Sequence, residues 1–218
     1  MYLNSLIVRC LFIIYKKGIY IEVNDCLVLV LYVKEYVATS YVRGTIQIKK
    51  VKIMTVKFQG NPISVSGDFP QPGDLAPSFT LCSSSFEDIT IETFLGKKVI
   101  LNIFPSIDTN VCAKSVREFN QRVSKEEDVV VLCVSADLPF ALSRFCTDER
   151  LNDVTIGSFF RAPEFTESYG VNINEGGLRG LAARAVIVLN EKAKVIHSEL
   201  VSEVTNEPDY SAAFLALK

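Results

Sequence analysis

The residue in this sequence with the clearest chemical potential is Cys112, one of six cysteines in the 218-residue chain. It follows the polar segment Asp108-Thr109-Asn110, in which either Asp108 or Thr109 can act as a helix N-cap. Apolar residues then recur at helical spacing, at Val116, Phe119 and Val123. A helix N-terminus stabilises a thiolate, which is the nucleophilic form of cysteine. The pattern therefore favours a reactive Cys112, although a free cysteine can also be a small buried residue of the hydrophobic core.

A buried strand is expected directly before this helix. Residues Val99 to Phe104 are apolar and largely β-branched, as in strands that are covered on both faces. Pro105 ends the strand because it has no N–H to donate to a neighbouring strand. This order of strand, turn and helix places the Cys112 sulfur at the carboxyl end of a central strand, where open α/β sheets bind ligands.

The remaining pattern predicts an α/β domain with a mixed central sheet and an N-terminal β-hairpin. The hairpin is expected at residues 56–58 and 63–65, around a Gln-Gly-Asn-Pro turn. A second hairpin is expected at 185–189 and 195–201. Further strands are predicted at 79–82, 88–91, 128–135 and 154–158. The helix that holds Cys112 in its first turn is expected to run to about residue 125, and further helices are predicted at 139–146, 163–169 and 209–217.

The spacing Pro105-x-x-x-Thr109-x-x-Cys112 resembles the active-site motif of the peroxiredoxins. The longer run from Phe104 to Cys112 is similar to the bacterial thiol peroxidases, which are atypical two-cysteine peroxiredoxins. The resemblance continues through Ser135-Ala-Asp-Leu-Pro-Phe-Ala to Cys146, and through Gly180-Leu-Ala-Ala-Arg-Ala. It covers residues 54–218, so it concerns the whole predicted domain.

This resemblance implies a thioredoxin-like fold and a thiol-dependent peroxidase activity. Cys112 would attack the peroxide, and Cys146 would resolve the resulting sulfenic acid into an intramolecular disulfide. The Arg184 guanidinium would face the Cys112 sulfur, the Thr109 hydroxyl would contact sulfur or substrate, and Pro105 would shield the sulfur from water. Arg184 is also unusual by itself, since it leads directly into an apolar strand.

The resemblance further implies the partners of the reaction. Hydrogen peroxide and organic hydroperoxides would be substrates, thioredoxin would restore the two thiols, and the chain would form a homodimer without a metal or bound cofactor. Working thiols suit a reducing cytoplasm. The net charge of −2 gives no indication of a nucleic-acid partner, and no apolar run reaches the roughly 18 residues of a membrane span.

Residues 1–53 differ in composition from the rest of the chain. They carry a net charge of +5, residues 54–218 carry −7, and all eight prolines lie in the second part. The first part contains neither the apolar run nor the small-residue cleavage site of a secretory signal. Met54 is the only methionine after Met1, and Met54-Thr-Val-Lys-Phe resembles the start of thiol peroxidases. We therefore expect residues 1–53 to be an extension that is absent from the native protein, with Met54 as initiator.

Formation of a disulfide places a geometric demand on the predicted helices. Its two Cα atoms must lie within about 7 Å, which two separate helices rarely allow. Residues 147–150 are polar and have little to anchor them in the sequence pattern. The segment 139–146 is therefore expected to unwind when Cys112 and Cys146 join.

Two other function classes remain open from the residues alone. A thiol–disulfide oxidoreductase acting on proteins is disfavoured because the chain contains no C-x-x-C, and that absence also disfavours a zinc site. A non-catalytic thioredoxin-fold binding module is the second alternative. Cys133 and Cys82 are expected to be structural, His197 is expected to lie in a strand away from the site, and Cys10 and Cys26 fall in the extension.

Overall fold

The computed structural model describes residues 21–24, 26–29, 36–42, 45–50, 52–126 and 128–218, and the chain divides into two units at Met54. Before the division, strands β1 (Ile21–Asn24) and β2 (Cys26–Leu29) pair antiparallel, as do β3 (Tyr36–Val42) and β4 (Thr45–Lys50). Cys10 and much of the predicted extension lie outside the described residues. The proposed initiator at Met54 therefore stays a prediction.

A seven-stranded mixed sheet forms the centre of the second unit. Its three central strands are parallel, and the strands on either side of them run antiparallel. Across the sheet the order is β14 (Val195–Leu200), β13 (Ala185–Leu189), β9 (Lys98–Ile103), β10 (Val129–Ser135), β11 (Val154–Ser158), β7 (Thr80–Cys82) and β8 (Asp88–Thr90).

The central strands are apolar throughout because both faces of the sheet are covered. Successive side chains of a strand point to opposite faces, and in β9 Ile100 joins one hydrophobic cluster while Leu101 joins the other. Helices α1 (Asn110–Val123) and α4 (Tyr210–Leu215) pack on the Ile100 face. The burial expected from the unbroken apolar runs is thus observed.

The predicted N-terminal hairpin is present as β5 (Ile53–Phe58) and β6 (Asn61–Ser66). A short strand that the sequence pattern did not indicate, β12 (Asn172–Ile173), pairs with β6 and completes a three-stranded sheet. Helix α3 (Glu164–Ser168) ends near Gly170, which has a φ of +63°. A side chain at Gly170 would collide with the Phe69 backbone at 2.3 Å, so glycine is required there.

Helix α2 (Pro139–Asp148) is two residues longer than predicted, and its end is better anchored. The expectation that residues 147–150 have little to hold them is wrong. Thr147 and Asp148 belong to the helix, and the Glu149 carboxylate accepts two hydrogen bonds from the Arg117 guanidinium of α1, at 2.8 and 3.1 Å. This contact links elements that are 32 residues apart, which a local sequence pattern does not reveal.

Among the described residues, none of the helices has the length and apolar character needed to cross a bilayer.

Candidate active site

Cys112 lies in the first turn of α1, which follows the carboxyl end of central strand β9 after a turn of six residues. Of the two possible N-caps, Thr109 takes the role: its hydroxyl accepts the Cys112 N–H at 3.4 Å and donates to the Ser106 carbonyl at 3.2 Å. The Cys112 side chain is fully buried, while Thr109 above it is exposed. The helix N-terminus and its positive dipole end therefore face the sulfur.

The Arg184 guanidinium meets this sulfur inside the protein. Its Nη2 donates to Cys112 Sγ at 3.2 Å, and its Nε donates to the Val204 carbonyl at 3.0 Å. Arg184 is 1% exposed and precedes β13, the antiparallel neighbour of β9. Its Nη1 is buried and has no hydrogen-bond acceptor among the described residues. The three nitrogens of the buried guanidinium thus differ: Nη2 donates to the sulfur, Nε donates to the Val204 carbonyl, and Nη1 has no acceptor among the described residues.

Asp137 fixes the turn between β9 and α1, residues 104–109, which we call the elbow. The Asp137 carboxylate accepts the Ser106 hydroxyl at 2.8 Å, the Ile107 N–H at 2.7 Å and the Ser135 hydroxyl at 2.7 Å. Pro105 is buried at the start of this elbow. The sequence analysis did not identify Asp137 as a site residue, and a polar residue just after an apolar strand was the one local signal for it.

Cys146 lies in the last turn of α2, packed against the same hydrophobic cluster as Cys112. It is half-buried, and burial raises the pKa of its thiol. Both Cys112 and Cys146 are free thiols. The two predicted redox partners therefore share one face of the sheet without being bonded.

Charges at the rim of the site are paired. Lys114, two residues after Cys112, donates to the Glu207 carboxylate at 2.6 Å, and the Tyr210 hydroxyl donates to the same carboxylate at 3.1 Å. The Lys114 hydrogen bond holds the pKa of Glu207 below its ordinary value. Lys114 is thus paired with Glu207, whereas Arg184 is the cation that donates a hydrogen bond to the sulfur.

The two remaining cysteines of the second unit, Cys133 and Cys82, make no hydrogen bond to Cys112 or Arg184 among the described residues. Cys133 is buried in β10, where burial raises the pKa of its thiol to about 12. Cys82 is buried in β7, and His197 lies in β14 opposite Val188. These positions agree with the structural roles expected for them.

The structure therefore brings together two parts of the chain: the helix start that holds Thr109 and Cys112, and Arg184, which lies 72 residues after Cys112. Thr109 reaches the Cys112 backbone, and no hydrogen bond joins its hydroxyl to Sγ among the described residues. Pro105 is buried nearby in the elbow, and Cys146 sits on the next helix. What each residue contributes to a reaction stays a prediction at this point.

The chain is similar in sequence to one protein family and to characterised relatives. Residues 71–214 match the model of the Redoxin family. The chain is 58% identical over 164 residues to a thiol peroxidase of Vibrio cholerae serotype O1, covering 75% of this chain and all of the relative.

Solved structures of similar proteins have the same fold as this chain. A peroxiredoxin-like protein from Aquifex aeolicus superposes with a TM-score of 0.71 at 34% identity, covering 76% of this chain and 97% of that protein. A thiol peroxidase from Chromobacterium violaceum superposes with a TM-score of 0.70 at 25% identity, covering 75% and 94%. The predicted thioredoxin-like fold with a mixed central sheet is therefore confirmed.

Proposed function

This chain belongs to the Redoxin family and is a thiol peroxidase like its relatives, and from that premise we propose how it works. It reduces hydrogen peroxide and organic hydroperoxides through a sulfenic acid on Cys112. An intramolecular disulfide between Cys112 and Cys146 follows, and thioredoxin reduces that disulfide. Neither a metal nor a bound cofactor takes part.

The observation that carries this proposal is the contact between Arg184 Nη2 and Cys112 Sγ at 3.2 Å. Burying an unpaired guanidinium is costly, so a buried arginine requires a counter-charge or hydrogen-bond acceptors. A Cys112 thiolate supplies both, and the Cys112 N–H is already held by the Thr109 cap. The contact therefore places the Arg184 guanidinium against the sulfur in a site shielded from bulk water.

In the first step, the Cys112 thiolate attacks the terminal oxygen of the peroxide. An S–O bond forms as the O–O bond breaks, the sulfur is oxidised to a sulfenic acid, and the leaving oxygen takes a proton to become water or an alcohol. The free Arg184 Nη1 is the donor available for the charge that develops on the peroxide oxygens. Preorganised donors of this kind are the main electrostatic means of lowering such a barrier.

In the second step, the Cys146 sulfur attacks the sulfenic sulfur of Cys112. The S–S bond forms, the hydroxyl leaves, and with the Cys146 proton it becomes water. A dithiol then reduces the disulfide by two electrons and returns both cysteines as thiols. Thioredoxin, a protein dithiol of suitable potential, is the proposed donor, and the cytoplasm is the compartment in which the thiols persist.

The overall proposal is tested by peroxide consumption with purified protein. With thioredoxin and its reductase, we expect rapid loss of hydrogen peroxide and of cumene hydroperoxide, coupled to NADPH oxidation. One equivalent of peroxide given without a reductant should lower the intact mass by two hydrogens, with peptide mapping placing the bond between Cys112 and Cys146. Failure to consume either peroxide, with any dithiol, would contradict the proposal.

Replacing the resolving cysteine, Cys146→Ser, is expected to separate the two steps. The first reaction of Cys112 with peroxide should stay within a few-fold of wild type, because the contact with Arg184 is intact. Turnover with thioredoxin should be lost, and excess peroxide should carry Cys112 to the sulfinic acid because no thiol captures the sulfenic acid. Intact mass would show two added oxygen atoms. Cys82→Ser serves as the matched control, and equal over-oxidation of both variants would argue against Cys146 as the resolving residue.

Disulfide formation is expected to unwind α2, in which Cys146 occupies the last turn. Two features favour this: the helix has no side-chain cap at its N-terminus, and Phe140 in its first turn is exposed. Hydrogen exchange of amides 141–148 should become faster after oxidation, while amides 113–123 of α1 serve as the internal reference. Equal protection of α2 in both redox states would contradict the expected motion.

A homodimer is proposed to form through an exposed apolar surface beside α2. We call this surface the aromatic patch; its residues are Phe86 and Phe140, which are 44% and 68% exposed. The Phe86 and Phe140 rings lie 4.6 Å apart. Exposed apolar patches of this kind mark interaction surfaces. Sedimentation should give a dimer for wild type and a monomer for Phe140→Asp, with Leu75→Asp, an exposed site outside the patch, remaining dimeric.

A further inference from the structure

The Asp137 carboxylate has no part in the two steps described above, yet it is the most highly coordinated side chain around the elbow. It accepts three hydrogen bonds between 2.7 and 2.8 Å, from Ser106, Ile107 and Ser135. Hydrogen bonds to a charged acceptor are about twice as strong as neutral ones. Two of these bonds hold residues of the elbow, so the position of the elbow is closely fixed.

Asp137 is itself held rigidly at the carboxyl edge of the sheet. Ser135, the last residue of β10, donates to its carboxylate, and Ser158, the last residue of β11, donates to its backbone carbonyl at 2.5 Å. Asp137 therefore takes its position from two parallel strands. A carboxylate fixed in this way can hold the more irregular elbow in one position through its hydrogen bonds to Ser106 and Ile107.

The hydrogen bonds continue from Asp137 to the reactive cysteine. Asp137 holds the Ser106 hydroxyl, the Ser106 carbonyl accepts both the N–H and the hydroxyl of Thr109, and the Thr109 hydroxyl caps the Cys112 N–H. The opposite side of the sulfur is fixed by Arg184, which the Val204 carbonyl orients. The distance between sulfur and guanidinium thus depends on both anchors.

We propose that Asp137 is a positioning residue for the peroxide reaction, one that holds Cys112 against Arg184 by fixing the elbow to the ends of β10 and β11. This proposal rests on the proposed function, because it assigns Asp137 a role in that same site. A second link between the elbow and α2, Arg144 to Asp108 at 3.7 Å, joins two exposed side chains. Exposed pairs of this kind contribute little, so the carboxylate of Asp137 carries the positioning.

The principal test is Asp137→Ala, read by two measurements. The rate constant of Cys112 with hydrogen peroxide should fall by about ten- to 100-fold, since a displacement of about 1 Å can cost a reaction that much. Alkylation of Cys112 by iodoacetamide, followed by peptide mass spectrometry, should shift to higher pH because the sulfur lies less closely against the guanidinium. A general loss of stability would lower the melting temperature without moving this pH profile.

Milder variants keep the test decisive if Asp137→Ala does not fold. Asp137→Asn preserves the shape and one acceptor oxygen, so it should fall between wild type and Asp137→Ala. Ser106→Ala removes one of the two bonds between the Asp137 carboxylate and the elbow, together with the bond from the Asp108 N–H, and should shift both readouts in the same direction by a few-fold. Glu175→Ala, which removes a carboxylate that accepts the Ser64 N–H at 2.9 Å, is the control and should leave both readouts at wild-type values.

The outcomes separate this proposal from the proposed function. Folded Asp137→Ala and Ser106→Ala proteins with wild-type alkylation profiles and wild-type peroxide rates would overturn the role of Asp137, even if Cys112 is the peroxide-reactive cysteine. The alkylation profile requires no peroxide, so it reports on Asp137 even if the enzyme prefers a different substrate. An equal shift in Glu175→Ala would likewise overturn the proposal, because the effect would then be unspecific.

Discussion

Cys112→Ser is expected to abolish peroxide consumption, with a loss of at least about 10³-fold in rate. Serine is nearly the same size, so the α1 turn and its Thr109 cap should survive. The loss is chemical: a hydroxyl is not ionised near neutral pH, whereas a thiolate is intrinsically a strong nucleophile. The rate of peroxide loss, measured at several protein concentrations, gives the rate constant.

The matched control for this variant is Cys133→Ala, which removes a buried cysteine from the same hydrophobic cluster. We expect it to consume peroxide within about twofold of wild type, because its thiol contacts Asn102 and not Arg184. If Cys112→Ser kept its activity while Cys133→Ala lost it, the wrong cysteine would have been assigned. If wild type and both variants were equally inactive, the chain would be a non-catalytic binding module.

Complete burial of Cys112 is compatible with reactivity because its side chain lies against the Arg184 guanidinium and in the first turn of a helix. Free cysteines in cores normally act as small hydrophobic residues, as Cys133 does in β10. Cys112 differs because a guanidinium donates to its sulfur and a helix N-terminus lies behind it.

The strands and helices were largely predictable because their signals are local. Unbroken apolar runs such as Val129 to Val134 indicate strands covered on both faces, and a proline at the first position marks the start of α2. Strand β12 escaped prediction since two residues give no periodicity, and its partner β6 lies more than 100 residues earlier. The two additional residues of α2 escaped prediction because Arg117 on another helix holds the end of α2.

The site was predictable only in part, for the same physical reason. The preceding strand and the helical spacing identified Cys112, whereas only family resemblance connected it to Arg184, 72 residues further along the chain. Nothing in the local sequence indicates that the Val204 carbonyl orients the guanidinium or that Asp137 fixes the elbow. These contacts depend on which strand ends become neighbours, and that is decided by the topology of the whole sheet.

Arg184→Lys is expected to lower the rate constant with peroxide by about 100-fold, even though the charge is retained. Removing one preorganised donor from a developing oxyanion typically costs about 10² to 10³ in rate. Arg184 donates through Nε to the Val204 carbonyl and through Nη2 to Cys112 Sγ, while Nη1 has no acceptor among the described residues and is the donor proposed for the peroxide. A lysine has a single nitrogen, which cannot occupy these three positions together.

Ionisation of the sulfur alone cannot account for an effect of this size. For any cysteine, lowering the pKa from about 8.5 to about 6 raises the thiolate fraction at pH 7 by roughly 30-fold. The accompanying loss of nucleophilicity, with a Brønsted slope of about 0.45 taken from disulfide exchange, removes roughly 13-fold of that gain. Only about a factor of two remains. Most of the acceleration must therefore come from donors aimed at the breaking O–O bond.

Two reagents distinguish these contributions in the Arg184→Lys protein. Iodoacetamide reports the ionised Cys112 sulfur without needing peroxide donors, so its rate at pH 7 should change by no more than a few-fold. The peroxide rate constant should fall about 100-fold in the same preparation. Arg179→Lys, at an exposed arginine outside the site, should match wild type in both assays. A near-normal peroxide rate in Arg184→Lys would mean that a point charge suffices, and the aimed donors of the guanidinium would then have no catalytic role.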